Sequence, residues 1–136
     1  MRVLLETTTI SDILDREPNT IRKVNALRST DTVAVSAVSY GEIWFGLETM
    51  QAGRRRWELE QQARTLFSAF SLELVTQGVA DAYVQIKAEL QRKGMMIPEA
   101  DLWIAATALA GNYTLVTRDG HFSHVDGLTI VNWSQP

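Results

Sequence analysis

The sequence predicts an α/β fold in which a central, mostly parallel sheet of four to five strands carries helices on both faces. Two observations support this prediction. Short apolar runs recur along the chain, and most are followed by a segment with helical periodicity. The 136 residues suffice for one domain with a substantial core, so we expect a single domain over residues 1–136.

The predicted strands are short, and the first two are apolar almost throughout, which is typical of strands buried on both faces of a sheet. They cover Val3–Leu5, Val33–Ser36, Leu72–Val75, Thr114–Thr117 and Thr129–Val131. In a parallel sheet the carboxyl ends of the strands lie at one edge, which is where ligands bind in open α/β folds.

Between these strands, apolar residues recur with the spacing of helices. The predicted helices are a short one at Ser11–Leu14 ended by Pro18, one capped by Asn19, and then Ser39–Met50, Arg54–Phe70, Val79–Lys93 and Pro98–Ala110. Gly94 is expected to end the fifth of these helices. The last helix is apolar on nearly all sides and should therefore be buried.

Composition excludes several classes of protein. Hydrophobic residues make up 46% of the chain and charged residues 21%, as in ordinary globular proteins. The absence of cysteine excludes a disulfide scaffold, a thiolate zinc site, an iron–sulfur cluster and a cysteine nucleophile. A net charge of −3 argues against coating nucleic acid by bulk charge. No apolar run reaches the ~18 residues that span a bilayer, and Glu6 follows Met1 too closely for a signal peptide. We therefore expect a cytoplasmic protein.

Four carboxylates are predicted to meet at one edge of the sheet. Glu6 and Asp119 follow predicted strands, whereas Glu42 and Asp101 lie near the starts of helices. Each acid alone has an ordinary explanation, such as a helix-dipole contact for Asp101, a solvated helix position for Glu42 or a turn for the other two. Four like charges brought together, however, repel each other unless a cation lies between them.

The chemistry of this predicted cluster follows from its donor atoms. The ligands would all be oxygen, a set that favours Mg²⁺ or Mn²⁺ over Zn²⁺. One or two such ions activate water and stabilise the oxygens of an in-line phosphodiester displacement. The residues therefore predict metal-assisted phosphoryl chemistry.

Several segments, taken in order, carry a resemblance to a known family. They are Leu4–Asp12, Val35–Ile43, Asp101–Ala110, Leu115–Asp119 and a tail with His121-Phe122, Gly127-Leu128 and Ile130–Trp133. In this order and spacing the sequence resembles the PIN-domain family, specifically the VapC toxins of prokaryotic toxin–antitoxin pairs. The resemblance covers nearly the whole chain.

The resemblance implies an endoribonuclease that depends on Mg²⁺ or Mn²⁺ and cuts RNA, often tRNA. It also implies a small antitoxin as inhibitory partner and a homodimeric toxin. By position, Glu42, Asp101 and Asp119 match the second, third and fourth acids of the family's site, and Thr117 matches a hydroxyl residue beside the fourth acid.

The first motif departs from the family pattern. The family usually has Leu-Asp-Thr-Asn, whereas this chain has Leu5-Glu6-Thr7-Thr8. Glu6 is one methylene longer than Asp, and Thr8 lacks the amide that both donates and accepts hydrogen bonds. Two hypotheses remain open: an active nuclease that uses Glu6, or a catalytically impaired PIN-domain module that still binds antitoxin or RNA.

A phosphoacceptor signalling domain is disfavoured, because Thr76-Gln77-Gly78 follows the third strand where an acceptor Asp would be needed.

Other polar residues receive weaker predictions. Arg118, beside Asp119, is placed to contact a phosphate at the site. His121 and His124 are expected to be surface residues, and Glu99 and the run Arg54–Arg56 are expected to be solvated helix charges.

Apolar residues on two predicted helices exceed what one face buries. The segments Tyr40–Met50 and Trp57–Phe70 predict a contact with an antitoxin or a second copy of the chain. Trp44, Trp57 and Trp103 are expected in the core or in such an interface.

Overall fold

A computed structural model describes residues 1–136 of the chain. The elements in chain order are β1 (Arg2–Leu5), α1 (Thr7–Leu14), α2 (Pro18–Asn25), β2 (Thr32–Ser36), α3 (Ala37–Glu48), α4 (Arg54–Ala69), β3 (Ser71–Glu73), α5 (Gln77–Lys93), α6 (Glu99–Ala110), β4 (Thr114–Val116), a 3₁₀ turn (Gly120–His124) and β5 (Ile130–Val131). The predicted α/β class is confirmed, and the sheet has five strands.

All strand pairs in the sheet are parallel, and the order is β3-β2-β1-β4-β5. β1 lies at the centre, with Leu5 paired to Val35 of β2 and to Val116 of β4. The residues that follow these three strands are therefore neighbours at one edge of the sheet. This arrangement places Glu6 between the start of α3 and the loop that begins at Thr117.

Alternate residues of the central strands pack on opposite faces, as the period of a strand requires. Leu4 and Leu115 contribute to a core shared with α5 and α6. Val3, Leu5 and Val116 contribute to a second core formed with α1, α3 and α4. Helices thus cover both faces, which explains why β1 and β2 are apolar almost throughout.

The beginnings of several helices differ from the prediction. α1 begins at Thr7 rather than Ser11, α5 begins at Gln77 rather than Val79, and Asn19 lies inside α2 and is not its cap. Pro18 does not end a helix but is the first residue of α2, and the Glu17 carboxylate caps that helix by accepting hydrogen bonds from the backbone N–H groups of Asn19 and Thr20. Proline suits this position because it has no N–H to satisfy. α3 begins at Ala37 rather than Ser39, because the hydroxyl of Ser36 caps it through the N–H of Ser39.

The end of α5 agrees with the prediction. Gly94 adopts φ +70°, a left-handed conformation that ends the helix, and its N–H donates to Gln91. Helix α6 begins at Glu99, directly after Pro98, and six of its twelve residues are buried, including an unbroken run from Ile104 to Ala108. None of the six helices combines the length and apolar character needed to cross a membrane.

Candidate active site

Glu6 is the first acid at the edge of the sheet, and it is only 3% exposed. Its Oε1 accepts three hydrogen bonds: from the hydroxyl of Thr8 (2.5 Å), the hydroxyl of Thr117 (2.6 Å) and the backbone N–H of Thr8 (3.1 Å). The same contact with the Thr8 N–H makes Glu6 the N-cap of α1. All of these donors reach one oxygen, which leaves Oε2 for another ligand.

Burial raises the pKa of Glu6, and the hydrogen bonds from Thr117 and Thr8 oppose this effect. The nearby negative charge of Asp119 raises the pKa further. Three donors on a buried carboxylate favour its charged form, but they do not offset the loss of water around it. A cation beside Oε2 would stabilise the charged form of this group.

Glu42 approaches from the first turns of α3 and is exposed to solvent. Its Oε1 accepts a hydrogen bond from the hydroxyl of Thr7 at 2.7 Å. The hydroxyls of Thr7 and Ser39 lie 2.9 Å apart, and Ser39 is fully buried. Thr7 thereby ties the start of α1 to α3 and orients the Glu42 carboxylate. The sequence argument gave no role to Thr7 or Ser39, because their contacts depend on how α1 packs against α3.

Asp101 lies in the first turn of α6, and Asp119 follows β4 and caps the 3₁₀ turn. Loss of solvation is the main reason why the pKa of Asp101 rises from 3.8 to about 6, and the negative charges of Asp119, Glu6 and Glu42 add to it. The charge of His121 lowers the pKa of Asp101. The charges of Asp119, Glu6 and Glu42 are thus near enough to Asp101 to raise its pKa. Of the four acids, only Asp101 and Asp119 belong to the group whose potential ligand atoms lie within 4.8 Å of one another, and His121 is the third member of that group.

Thr8, Thr117 and Arg118 surround the buried acid. The Thr117 hydroxyl also accepts a hydrogen bond from the N–H of Asp119 at 3.0 Å, so it connects two of the acids. The Arg118 side chain turns towards α1, where its Nε lies 3.0 Å and 3.2 Å from the two carboxylate oxygens of Asp12. The predicted contact between Arg118 and a phosphate would therefore compete with this ion pair.

His121 lies among the acids, a position that sequence reasoning did not predict. Its Nδ1 is 3.2 Å from Asp119 Oδ1 and 3.6 Å from Asp101 Oδ2. Potential ligand atoms of these three residues all lie within 4.8 Å of one another. No pattern in the sequence indicated this, because the position depends on the 3₁₀ turn that follows Asp119. His124 is exposed, as expected.

The other charged residues behave largely as helix-surface groups. The arginines of the run Arg54–Arg56 form ion pairs with acidic side chains rather than an open basic patch. Glu99 accepts hydrogen bonds from the Tyr83 hydroxyl and the Lys87 ammonium, so its carboxylate is held by α5. Trp57 is 61% exposed, which excludes it from the core and leaves the predicted interface.

The donor set fits a hard divalent cation. The four carboxylates supply only oxygen, which suits Mg²⁺ and Mn²⁺, and Oε2 of Glu6 accepts no protein donor. Their mutual repulsion is the physical condition that a cation would relieve. Oxygen ligands of this kind are the ones with which proteins hold Mg²⁺ or Mn²⁺ for phosphoryl transfer.

The profile of the PIN domain family matches residues 3–128. The chain belongs to the PIN domain family. PIN nucleases depend on metal ions, and the acidic cluster of this PIN domain agrees with that requirement. The resemblance found in the sequence motifs is therefore confirmed.

Relatives of this PIN domain align over nearly their full length. The VapC ribonuclease Y4jK of Sinorhizobium fredii is 31% identical over 141 residues, covering 98% of this chain and 99% of the relative. Toxin FitB of Neisseria gonorrhoeae is 33% identical over 138 residues, covering 96% and 98%. The crystal structure of VapBC2 from Rickettsia felis bound to a promoter DNA fragment superposes with a TM-score of 0.88 at 24% identity, covering 98% of this chain and 99% of that one. The last comparison supports the fold.

Proposed function

We propose that this PIN domain, residues 1–136, is the endoribonuclease toxin of a toxin–antitoxin pair. In this proposal Glu6, Glu42, Asp101 and Asp119 hold Mg²⁺ or Mn²⁺ and form the catalytic site. The observation that carries the proposal is the position of these acids at one edge of the parallel sheet, where potential ligand atoms of Asp101, Asp119 and His121 lie within 4.8 Å of one another. Relatives named as a VapC ribonuclease and a toxin support the reaction and the biological role.

The side chains have distinct tasks in this proposal. A bound divalent ion would supply an activated water and charge stabilisation at the phosphodiester. Glu6 holds its position because Thr8 and Thr117 bind Oε1, so Oε2 is available as a ligand. Asp101 and Asp119 present carboxylates from α6 and from the loop after β4. Fixed ligands of this kind reduce the reorganisation that the reaction requires.

Glu42 and Arg118 belong to the outer part of the proposed site. Glu42 is exposed and held by Thr7, so it is accessible to water or to a second cation. Arg118 is 48% exposed, and its pairing with Asp12 keeps a positive charge beside the acids. A phosphate of the RNA that approaches this edge would compete with Asp12 for the guanidinium group.

The proposed partners are a small antitoxin, an RNA substrate such as tRNA and a second copy of the chain. Exposed apolar side chains on α3 and α4 support a protein contact: Phe45 is 70% exposed and Trp57 is 61% exposed. Exposed apolar residues grouped on neighbouring helices are typical of partner surfaces. The resemblance to VapC toxins supports the antitoxin as the occupant.

Cleavage of a total tRNA pool by the purified, antitoxin-free protein tests the proposal. We expect cuts that require Mg²⁺ or Mn²⁺ and that disappear in Asp101→Asn, because this substitution removes a carboxylate ligand. Asp81→Asn is the matched control, since Asp81 is an exposed residue of α5. Equal cleavage by the wild type and Asp101→Asn would overturn the proposed site.

The departures at Glu6 and Thr8 support a second candidate, a PIN-domain binding module with impaired catalysis. It is favoured if the folded wild type binds metal and antitoxin but leaves the tRNA pool intact with either ion. The double variant Glu6→Asp, Thr8→Asn should then gain cleavage. Absence of that gain would count against impairment through these two residues.

A further inference from the structure

His121 lies beside two of the acids and has no role in the proposed catalysis. Its Nδ1 lies 3.2 Å from Asp119 Oδ1 and 3.6 Å from Asp101 Oδ2. The side chain is 55% exposed, so no packed core holds the ring in this orientation. Because Nδ1 is close to both carboxylates, the imidazole faces the gap between Asp101 and Asp119, where a cation held by these two acids would lie.

The backbone around His121 is fixed by one of these acids. The N–H of His121 donates to Asp119 Oδ1 at 3.0 Å, and Asp119 caps the 3₁₀ turn that contains the histidine. A shift of the Asp119 carboxylate would therefore also shift the histidine. His121 lies on the 3₁₀ turn that Asp119 caps, so the two side chains are positioned together.

The spacing fits three ligands of one ion. Adjacent ligands of an octahedral ion with bonds of about 2.1 Å are about 3.0 Å apart. The distances from His121 Nδ1 to Asp119 Oδ1 and Asp101 Oδ2, 3.2 Å and 3.6 Å, lie between this value and the about 4.2 Å that separates opposite ligands. Neutral imidazole offers the lone pair of Nδ1, provided that the proton is on Nε2.

We propose that His121 is a ligand of the cation held by Asp101 and Asp119, and that its nitrogen makes the site prefer Mn²⁺ over Mg²⁺. This inference rests on the proposed metal site of the nuclease. Imidazole binds transition-metal ions well, whereas Mg²⁺ prefers oxygen ligands and retains its waters. The His121 nitrogen would thus make the site distinguish Mn²⁺ from Mg²⁺, whereas the four carboxylates alone would bind both ions.

Electron spin echo spectroscopy of the Mn²⁺-loaded, full-length protein tests the ligand directly. The chain has only two histidines, so His121→Gln and the matched control His124→Gln assign any imidazole ¹⁴N modulation of the Mn²⁺ signal. We expect the modulation in the wild type and in His124→Gln and its loss in His121→Gln. Thermal unfolding in EDTA checks that both variants are folded.

Calorimetric titration with each ion supplies the second readout. His121→Gln should weaken Mn²⁺ binding about tenfold, at the low end of the effect of altering a metal site, and leave Mg²⁺ binding unchanged. Equal weakening for both ions would overturn the inference, because it would mean that the ring only orients Asp119.

The outcomes separate this inference from the proposed nuclease. Bound Mn²⁺ without ¹⁴N modulation in a wild type that cleaves RNA refutes His121 as a ligand and leaves the nuclease intact. Persistence of the modulation in His121→Gln would also refute His121 as the ligand and would also leave the proposed nuclease intact. Failure of the wild type to bind either ion refutes both proposals.

Discussion

Replacing Asp101 with Asn should stabilise the metal-free protein at alkaline pH, although it removes a proposed metal ligand. The folded chain raises the pKa of Asp101 to about 6, from 3.8, through burial and through repulsion by Asp119, Glu6 and Glu42. The folded state therefore holds the proton more tightly than the unfolded state. As pH rises from about 4 to about 6, the free energy of unfolding falls. Above pH 7 Asp101 is charged in both states, and the full cost of holding this charge in the folded protein is present.

The size of the effect follows from the change in pKa. A rise from 3.8 to about 6 corresponds to about 3 kcal/mol, at about 1.4 kcal/mol for each pH unit. Solvent reaches 13% of the Asp101 side chain, and salt screens part of the repulsion. We therefore expect Asn to raise the free energy of unfolding by about 1–3 kcal/mol at pH 8. The corresponding rise in Tm is about 3–10 °C.

Thermal unfolding in EDTA at pH 8 and pH 4.5 measures this effect. The gain of Asp101→Asn should shrink to less than half at pH 4.5, where the wild-type carboxyl is mostly protonated in the folded state. Asp81→Asn, on the exposed face of α5, should change Tm little at either pH. Saturating Mg²⁺ or Mn²⁺ should raise the Tm of the wild type and not that of Asp101→Asn. Equal Tm values at pH 8, or a gain of the same size at both pH values, would refute this account of the acid cluster.

Three further changes probe the contacts around the site and the fold. Thr117→Val should lower the free energy of unfolding by about 1–3 kcal/mol in urea titrations, because buried Glu6 loses a hydrogen-bond donor; an unchanged midpoint and slope would contradict this. Gly94→Ala should cost about 1 kcal/mol in the same assay, because φ is +70° at this position, and no cost would argue against that conformation. Asp12→Asn should lower the free energy of unfolding by about 1–3 kcal/mol, because Asp12 is buried and loses a charge-assisted contact with Arg118. It should also tighten tRNA binding in EDTA, since it releases Arg118, and weaker binding in anisotropy titrations would refute that role.

Much of the fold was predictable because β1 and β2 are short, almost entirely apolar runs. β1 and β2 differ from their predicted limits by one residue at the start. β3 ends at Glu73 instead of Val75, since this edge strand pairs only with β2 and its last two predicted residues find no partner. The mistaken role of Pro18 has a similar local cause: proline ends one helix and begins another equally well, and only the Glu17 carboxylate distinguishes the two cases.

The four acids were predictable from their places at the ends of strands and the starts of helices, whereas their neighbours were not. Parallel pairing of β1 with β2 and β4 brings Glu6 near the other acids without any further information. The pairing of Arg118 with Asp12 joins residues 106 positions apart and leaves no periodic signal. The orientation of His121 depends on a five-residue 3₁₀ turn, which is too short to produce a recognisable pattern.

The two departures at Glu6 and Thr8 are linked in space. The longer acid reaches two hydroxyls, from Thr8 and Thr117, and the backbone N–H of Thr8 completes the set on the same oxygen. An Asp at position 6 would be one methylene shorter, so its carboxylate would lie farther from these hydroxyls, and an Asn at position 8 would replace the hydroxyl donor with an amide. The single variants Glu6→Asp and Thr8→Asn therefore each disturb the hydrogen bonds between residues 6 and 8. A loss of activity in Glu6→Asp alone would not show that Glu6 is a defective ligand. Only the double variant compares the two complete arrangements, with Thr117 held constant as the shared donor.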